Sequence, residues 1–360
     1  MHWVFFLTQC PPKMTQPTLE FRSDNCGSAA PEIVDAIVRA NQGCAIGYGA
    51  DDLTTKLNTT LSDIFEAQVR VYPIPTGTGA NALALAATGS PFGAVYCSPE
   101  AHINTSECNA VGFFGSGLKV TPIDGVYGKV CPESLEKNLG TAGFGMAHKS
   151  QPVAVNLVQA TDMGAVYTLE EISRISALAH NKNLTVHMDG ARFANALAYL
   201  GCSPAEMTWK AGVDILSLGV TKNGGLLSDA IVVFNPEIAE NIGFHLRRGG
   251  MIWSKMRFAS AQVFAYVEND LWLKLARQSN AAAQRLATGI QSKPGARLIA
   301  PVEANELFVE MSAKALDHLA QDGVLYYRRG PQLARFVCRW DTTEDEVNQL
   351  LTLIARYAKT

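Results

Sequence analysis

The run "DILSLGVTKNGG", residues 214–225, ends a nearly uncharged apolar stretch on Lys222. An amine in that position is either a strand-end lysine reaching for water or, with its pKa lowered by its surroundings, a nucleophile able to bond an aldehyde. In "LTVHMDGARF", Asp189 closes another apolar run. A carboxylate there caps the following helix or keeps a ring nitrogen protonated, and left unpaired in the interior it would be very costly. In "IPTGTGANALAL", Gly77, Thr78 and Gly79 separate a strand from a helix expected to open at about Ala80. Free backbone N–H groups at a helix start, with the Thr78 hydroxyl, suit a phosphate; an ordinary glycine turn has the same pattern, and neither a P-loop nor GxGxxG is present. In "SPEAHINTSE", His102 follows the run "GAVYCS" and is a polar loop residue or a catalyst.

Those residues acquire a common setting from the elements around them. Between about 69 and 234, the runs "VRVYPI", "GAVYC", "LKVTPI", "PVAVNLV", "LTVHM", "DILSLG" and "AIVVF" alternate with helical patterns. Strands apolar on both faces and separated by helices predict an α/β fold, a mostly parallel central sheet with helices on both faces. In such sheets ligands sit beyond the carboxyl ends of the strands, where all four sites fall. A phosphate cradle, a strand-end aspartate and a strand-end lysine on one sheet are what pyridoxal 5′-phosphate requires.

The segment "LEEISRISALAHNKN" carries apolar residues at 169, 172, 175, 178 and 179, the spacing of a helix that buries one face. After about residue 250, "SKMRFASAQVFAYVENDLWLKLARQSNAAAQRLATGI" predicts one long, breaker-free linking helix. The short strands "ARLIA", "ELFVEM" and "RFVCRW" then predict a smaller α+β C-terminal domain, closed by a helix whose capping box is Thr343 with Glu346. The expected division is a large cofactor-binding domain over 15–260 and a small domain over 261–360. Residues 1–14, with the apolar run "WVFFL" and no preceding Lys or Arg, read as a non-native or disordered extension ahead of Met14 rather than a secretory signal.

Thirty basic against 33 acidic side chains give a formal charge of -3, so no global field invites nucleic acid. Eight scattered cysteines lack a CxxC pair and point to reduced thiols in a cytoplasmic protein, with no metal site. No run reaches the ~18 apolar residues that a membrane span needs.

From about residue 20 onward the chain resembles the L-threonine aldolases, pyridoxal-phosphate enzymes of the aspartate aminotransferase fold (fold type I). "FRSDN" is similar to the family's LRSDT, "GYGADDLT" to VYGEDPT, "TGTGANALAL" to SGTMANQLAL, "AHINTSE" to AHIxxYE and "HMDGARFANA" to HLDGARLxNA. "LGVTKNGG" stands where the family has its SKGLGAP-type lysine segment, and "RFVCRWD" where it has RLVTHLD. The resemblance implies that Lys222 is the Schiff-base lysine, that Asp189 pairs with the pyridine nitrogen, that Gly77 and Thr78 hold the phosphate, and that His102 stacks on the ring. It implies Ser23, Arg192 and Arg335 in the pocket, with Ser23 and Arg335 receiving the substrate carboxylate, and Tyr48 approaching from a neighbouring subunit of a homodimer or homotetramer. His148 lies near a second family histidine that handles the hydroxyl proton.

The departures are Asn25 where the family has threonine, Cys338 and Arg339 in place of a Thr-His pair, and "QATDMG", with Thr161 and Asp162, in place of ENTHN. They fall near the expected substrate side and open the substrate to bulkier groups, as in phenylserine aldolases. The implied reaction is retro-aldol cleavage of a β-hydroxy-α-amino acid to glycine and an aldehyde, with His102, His148 or a held water as base. β-Elimination or transamination on the same cofactor is the rival reaction, and a cofactor-free binding protein the rival class.

Overall fold

The computed structural model describes residues 18–358, so the expectation for residues 1–14 lies outside the described residues. After a short β1 (Leu19–Glu20), the chain lays down β2 (Arg70–Ile74), β3 (Gly93–Cys97) and β4 (Lys119–Pro122). A hairpin of β5 (Gly125–Val126) and β6 (Lys129–Val130) follows, then β7 (Gln151–Val158), β8 (Thr185–Gly190), β9 (Ile215–Leu218) and β10 (Asp229–Val233). Seven of these make one sheet in the order β2-β10-β9-β8-β7-β3-β4. The run from β9 to β4 is parallel throughout, and β10 is antiparallel to both β2 and β9. The mostly parallel sheet predicted from the both-face apolar runs is therefore present, and every residue of β3, β9 and β10 is buried.

Chain order sets where a ligand can enter. From β3 the chain steps outward to β4, returns to the other side of β3 as β7, and then moves steadily away through β8, β9 and β10. The reversal between β3 and β7 leaves a crevice at the carboxyl edge. The antiparallel β10 contributes its first residue, Asp229, to that same edge.

The two helices with predicted one-sided burial or a capping box follow their sequence signals. Leu169–His180 begins in a Thr168/Glu171 capping box and buries Ile172, Ile175 and Ala179; Glu344–Tyr357 begins in the Thr343/Glu346 box. The long helix expected after residue 250 is instead two, Arg257–Val267 and Leu271–Gln291. Between them Asn269 and Asp270 take φ of 53° and 56°, left-handed values that Asn and Asp tolerate better than other side chains with a Cβ.

The C-terminal strands β11 (Arg297–Leu298), β12 (Glu306–Glu310), β13 (Val324–Leu325), β14 (Tyr327–Gly330) and β15 (Leu333–Val337) complete the set. Four form an antiparallel sheet, β11-β12-β15-β14, while β13 pairs in parallel with β1. Leu19 and Phe21 share an apolar core with Leu307, Phe336 and Ile354. The N-terminal segment is thus anchored on the C-terminal unit, which carries residues 23–26 toward the edge of the large sheet.

That edge is drawn tight where β8 and β9 end. The Gly219 N–H donates to the Gly190 carbonyl at 2.9 Å, and a Cβ on Gly219 would lie 2.4 Å from the Ala191 oxygen. Backbone is a poor absorber of such a clash, so Gly219→Ala is expected to lower stability by about 1–3 kcal/mol. Urea denaturation checks this; an unchanged midpoint would mean the two strand ends do not pack as described.

Candidate active site

The helix Gly77–Ala86 starts at Gly77, three residues earlier than expected, because the Thr76 hydroxyl accepts from the Gly79 N–H and caps it. Among the described residues the amides of Gly77 and Thr78 have no acceptor. They open onto the carboxyl edge beside the N-terminus of β10: an ideal Cβ on Gly77 would lie 3.8 Å from Asp229 Oδ2. The other oxygen of Asp229 accepts from the amides of Val220 and Thr221 at 2.8 and 3.0 Å and so fixes the turn that carries Lys222. The Thr221 hydroxyl beside it is buried without a partner.

Lys222 lies in the short 3-10 turn Thr221–Asn223, half-buried, with no hydrogen bond or ion pair among the described residues. Gly224, at φ 93°, turns the chain immediately afterwards, and Gly225 packs so closely that a Cβ would meet the Val220 oxygen at 2.7 Å. The glycines after the lysine therefore serve a sharp reversal.

Asp189 is not the cap of the following helix, whose N-cap position is Arg192. Its carboxylate is buried at the end of β8, where Oδ1 accepts from the Ala191 N–H at 3.0 Å and Oδ2 from Asn81 Nδ2 at 2.8 Å. The same Asn81 nitrogen donates to Glu107 Oε1 at 2.9 Å, and Glu107 Oε1 is 2.8 Å from His102 Nδ1. Glu107 and Asp162 push the His102 pKa up, while burial and Lys222 pull it down.

Arg192 is committed to protein partners. Its Nε donates to Asp24 Oδ2 at 2.8 Å and a terminal nitrogen lies 2.9 Å from Glu306 Oε1, all three groups being buried. Those carboxylates hold the guanidinium charged against the cost of burial and engage its Nε and one terminal nitrogen. Arg335 is freer. It lies 3.5 Å from Glu306, one terminal nitrogen donates to the Arg22 carbonyl, and its buried Nε has no partner. Ser23 is buried at the start of the turn Asp24–Cys26, where its hydroxyl accepts from the Asn25 N–H.

Asp162 follows β7 and is half-buried, with Oδ2 unpartnered. Burial, together with the neighbouring charges of Asp189 and Glu306, pushes its carboxyl up to about 6 against the pull of Lys222 and Arg192. Two expected residues are not brought in by this chain. His148 is exposed in the loop before Gln151, so it sits at the amino end of β7, the eight-residue length of that strand away from the edge where the others meet. Tyr48 is 59% exposed, its ring covered by the Arg247 guanidinium at 4.9 Å. Nor do the Cys338 and Arg339 departures reach the edge: Cys338 is fully buried in the C-terminal core, and Arg339 pairs with Asp341 and Glu346.

Sequence reasoning did not single out Asn81, Glu107, Asp24, Glu306 or Asp229. Asn81 and Glu107 stand inside the quoted "TGTGANALAL" and "AHINTSE", where a lone polar residue in an apolar helix and an acid five positions after the histidine were the available signals. The unpartnered amides of Gly77 and Thr78, the orphaned Thr221 hydroxyl and the uncommitted Lys222 amine fit an anionic group carrying an aldehyde. The buried Asp189 fits a protonated ring nitrogen.

A carboxyl that keeps its proton to about pH 6 when folded, against 3.8 in a free chain, stabilises the fold only at low pH. Stability is expected to fall as pH rises through that interval. Asp162→Asn removes the penalty, so cofactor-free variant and parent should match near pH 4 and diverge to about 1–3 kcal/mol by pH 7. Thermal melts across that range check it; equal melting temperatures at pH 7 would refute it.

A family model described as beta-eliminating lyase matches residues 20–314. The low specificity L-threonine aldolase of Pseudomonas aeruginosa is 40% identical over 338 residues, which span 94% of this chain and 97% of that protein. The threonine aldolase structure from Leishmania major superposes with a TM-score of 0.88 at 26% identity, covering 95% of this chain and 100% of that one. An aspartate aminotransferase from Rhodobacter sphaeroides, with a TM-score of 0.70 at 17% identity over 96% of this chain and 95% of that one, shares the fold.

Proposed function

The chain belongs to the beta-eliminating lyase family, among its low-specificity L-threonine aldolases, and on that premise we propose that it cleaves β-hydroxy-α-amino acids to glycine and an aldehyde with pyridoxal 5′-phosphate. The observation that carries this reading is the Lys222 amine, without a partner, one strand from the buried Asp189 and beside a helix start with open amides.

Gly77, Thr78 and the Thr221 hydroxyl would hold the phosphate, Asp189 the pyridine nitrogen and Lys222 the aldehyde carbon. When bound, the cofactor supplies an electron sink for the charge left on Cα as the Cα–Cβ bond breaks. The remaining work falls to side chains. Arg335, with its unpartnered Nε, is the guanidinium suited to the substrate carboxylate and so to fixing which Cα bond is presented for cleavage. Ser23 stands at the start of the turn beside it. His102 takes the β-hydroxyl proton, a contribution of typically ~10²–10⁴-fold. The same proton count is restored when Cα is protonated to give glycine, so the enzyme keeps none.

The natural substrate fits L-threonine, L-allo-threonine or a bulkier phenylserine. Asp162, a departure of sequence that stands at the edge, bears on size and polarity at Cβ. Incubation with each amino acid should yield glycine plus acetaldehyde or benzaldehyde, and Lys222→Ala should cut this by at least about 10³-fold, the scale on which loss of a covalent nucleophile acts. Ammonia and a keto acid as sole products would overturn the aldolase reading.

Self-association completes the reading. Ile46, Tyr48 and Leu227 are 71%, 59% and 59% exposed. Their segments are tied to one support: Leu227 N–H donates to Gln262, the Arg257 guanidinium to the Gly43 carbonyl, and Tyr48 N–H to the Ser254 carbonyl just before that helix. Exposed apolar side chains on segments tied to one helix suit a two-fold homodimer that shares residues between its sites. Tyr48→Ala and Lys222→Ala, each impaired alone, should on co-expression recover about a quarter of the parent activity, because each mixed dimer regains one intact site. No recovery in verified mixed dimers would remove Tyr48 from the neighbour's site. Among the described residues no helix is long and apolar enough to cross a membrane.

A further inference from the structure

Asn81 is buried within Gly79–Ala86, a helical stretch whose other side chains are only hydrogen, Ala or Leu. A carboxamide there gives up helix propensity and apolar contact, and it must find partners inside the protein. It finds two carboxylates: Nδ2 donates to Asp189 Oδ2 at 2.8 Å and to Glu107 Oε1 at 2.9 Å. The orientation of the amide is dictated by charge, since the reversed group would aim its carbonyl oxygen at two carboxylate oxygens. Oδ1 is left buried and unpartnered, as is Glu107 Oε2.

Glu107 itself is buried and closes the chain at His102, 2.8 Å from Nδ1. Burial and Asp189 push the Glu107 carboxyl up while its bonds to His102 and Asn81 pull it down; ionised, it only accepts, and Nδ1 is then the protonated nitrogen. Nε2 then carries the lone pair of the neutral ring. It has no partner among the described residues, and the side chain is 40% exposed at the mouth of the site.

We propose that Glu107 and Asn81 are positioning residues that tie His102 to Asp189 in one hydrogen-bonded unit, fix the Nδ1–H tautomer of His102 and leave Nε2 as the proton-accepting nitrogen. What Nε2 accepts rests on the aldolase reading; the tautomer and the tie rest on the geometry. The arrangement follows the logic of a carboxylate–imidazole pair, in which the acid orients the ring and stabilises the cation formed when it takes a proton. Three ionisable groups face the ring: Glu107 from the turn after it, Asp162 from the end of β7 and Lys222 from the turn after β9. Glu107 raises the ring's affinity for a proton, Asp162 adds to this, and Lys222 and burial oppose it. Because one amide nitrogen serves both carboxylates, weakening its bond to Glu107 also alters its hold on Asp189.

The test is nitrogen NMR of histidine-labelled protein, with and without cofactor, His102→Gln identifying the signal among seven histidines. In the parent, the neutral His102 ring should be protonated at Nδ1. In Glu107→Gln that preference should be lost and the midpoint of His102 should fall by about one pH unit or more, the scale of removing an opposite charge at contact distance. Asn81→Ser should shift His102 and also the pH titration of the bound cofactor's absorbance, although residue 81 carries no charge. A parent His102 protonated at Nε2, or a Glu107→Gln protein with unchanged tautomer and midpoint, overturns the proposal. If Glu107→Gln does not fold, the parent tautomer decides alone. These readings need no turnover, so an enzyme that fails to make glycine but shows them would refute the aldolase reading and leave this one standing.

Discussion

The edge of the large sheet depends on one buried ionic contact, Arg192 between Asp24 and Glu306. The three residues come from the end of β8, the N-terminal turn and the start of β12, so a single guanidinium joins both ends of the chain to the central sheet. None of these charges is tolerable in the interior alone, and removing one partner of such a pair typically costs about 3–5 kcal/mol. Asn305 adds a hydrogen bond to Asp24 from the residue before Glu306. Neither Glu306 oxygen has a donor aligned on it, so the contact to that residue is held by charge rather than by geometry. The clamp also explains why Arg335 is left with an open Nε: the nearest carboxylate is already shared.

The same accounting of charge shapes what remains. Asp189, Asp162, Glu107 and Asp229 are gathered at the carboxyl edge, with Lys222 as the amine that has no partner among the described residues and His102 held by Glu107. Asp229 is satisfied by two backbone amides, and Glu107 by Asn81 and His102. Asp162 has no such donor at Oδ2, and it is the carboxyl whose proton is held to about 6. Several unpaired polar atoms, on Asp162, Glu107, Asn81, Thr221 and Arg335, thus stand at the crevice, as expected of a surface prepared for a charged ligand.

Much of this was legible in the sequence, for reasons that differ by element. The strands of the large sheet are apolar on both faces and short, a pattern with few other interpretations, and their order along the chain placed Lys222, Asp189, Gly77 and His102 at strand ends. The helix break at Asn269–Asp270 was missed because an Ala-rich run outweighed two residues that favour a left-handed turn. The buried partners of Arg192 went unread because they are 168 and 114 positions away, and nothing local announces them. Arg339 has its partners Asp341 and Glu346 close by in sequence, but its place in a family motif drew the reading toward the substrate. His148 lay close to the right motif, but local similarity does not reveal which end of a strand a loop occupies.

Beneath Asp189 lies a layer that decides whether its charge is available. Two residues earlier on β8, His187 is fully buried between Asn156 on β7 and Ser217 on β9, at 2.7 and 2.9 Å. An imidazolium there would sit on the same face as Asp189 and neutralise it from below. Burial instead pushes the His187 ring down to about 4, so it is neutral over the physiological range. As a neutral ring it can donate from Nδ1 to the Asn156 oxygen and accept at Nε2 from the Ser217 hydroxyl, which satisfies both nitrogens with no charge at all. The negative charge of Asp189 is then met only by the Ala191 amide and Asn81, both neutral donors, and stays directed toward whatever cation occupies the crevice above it.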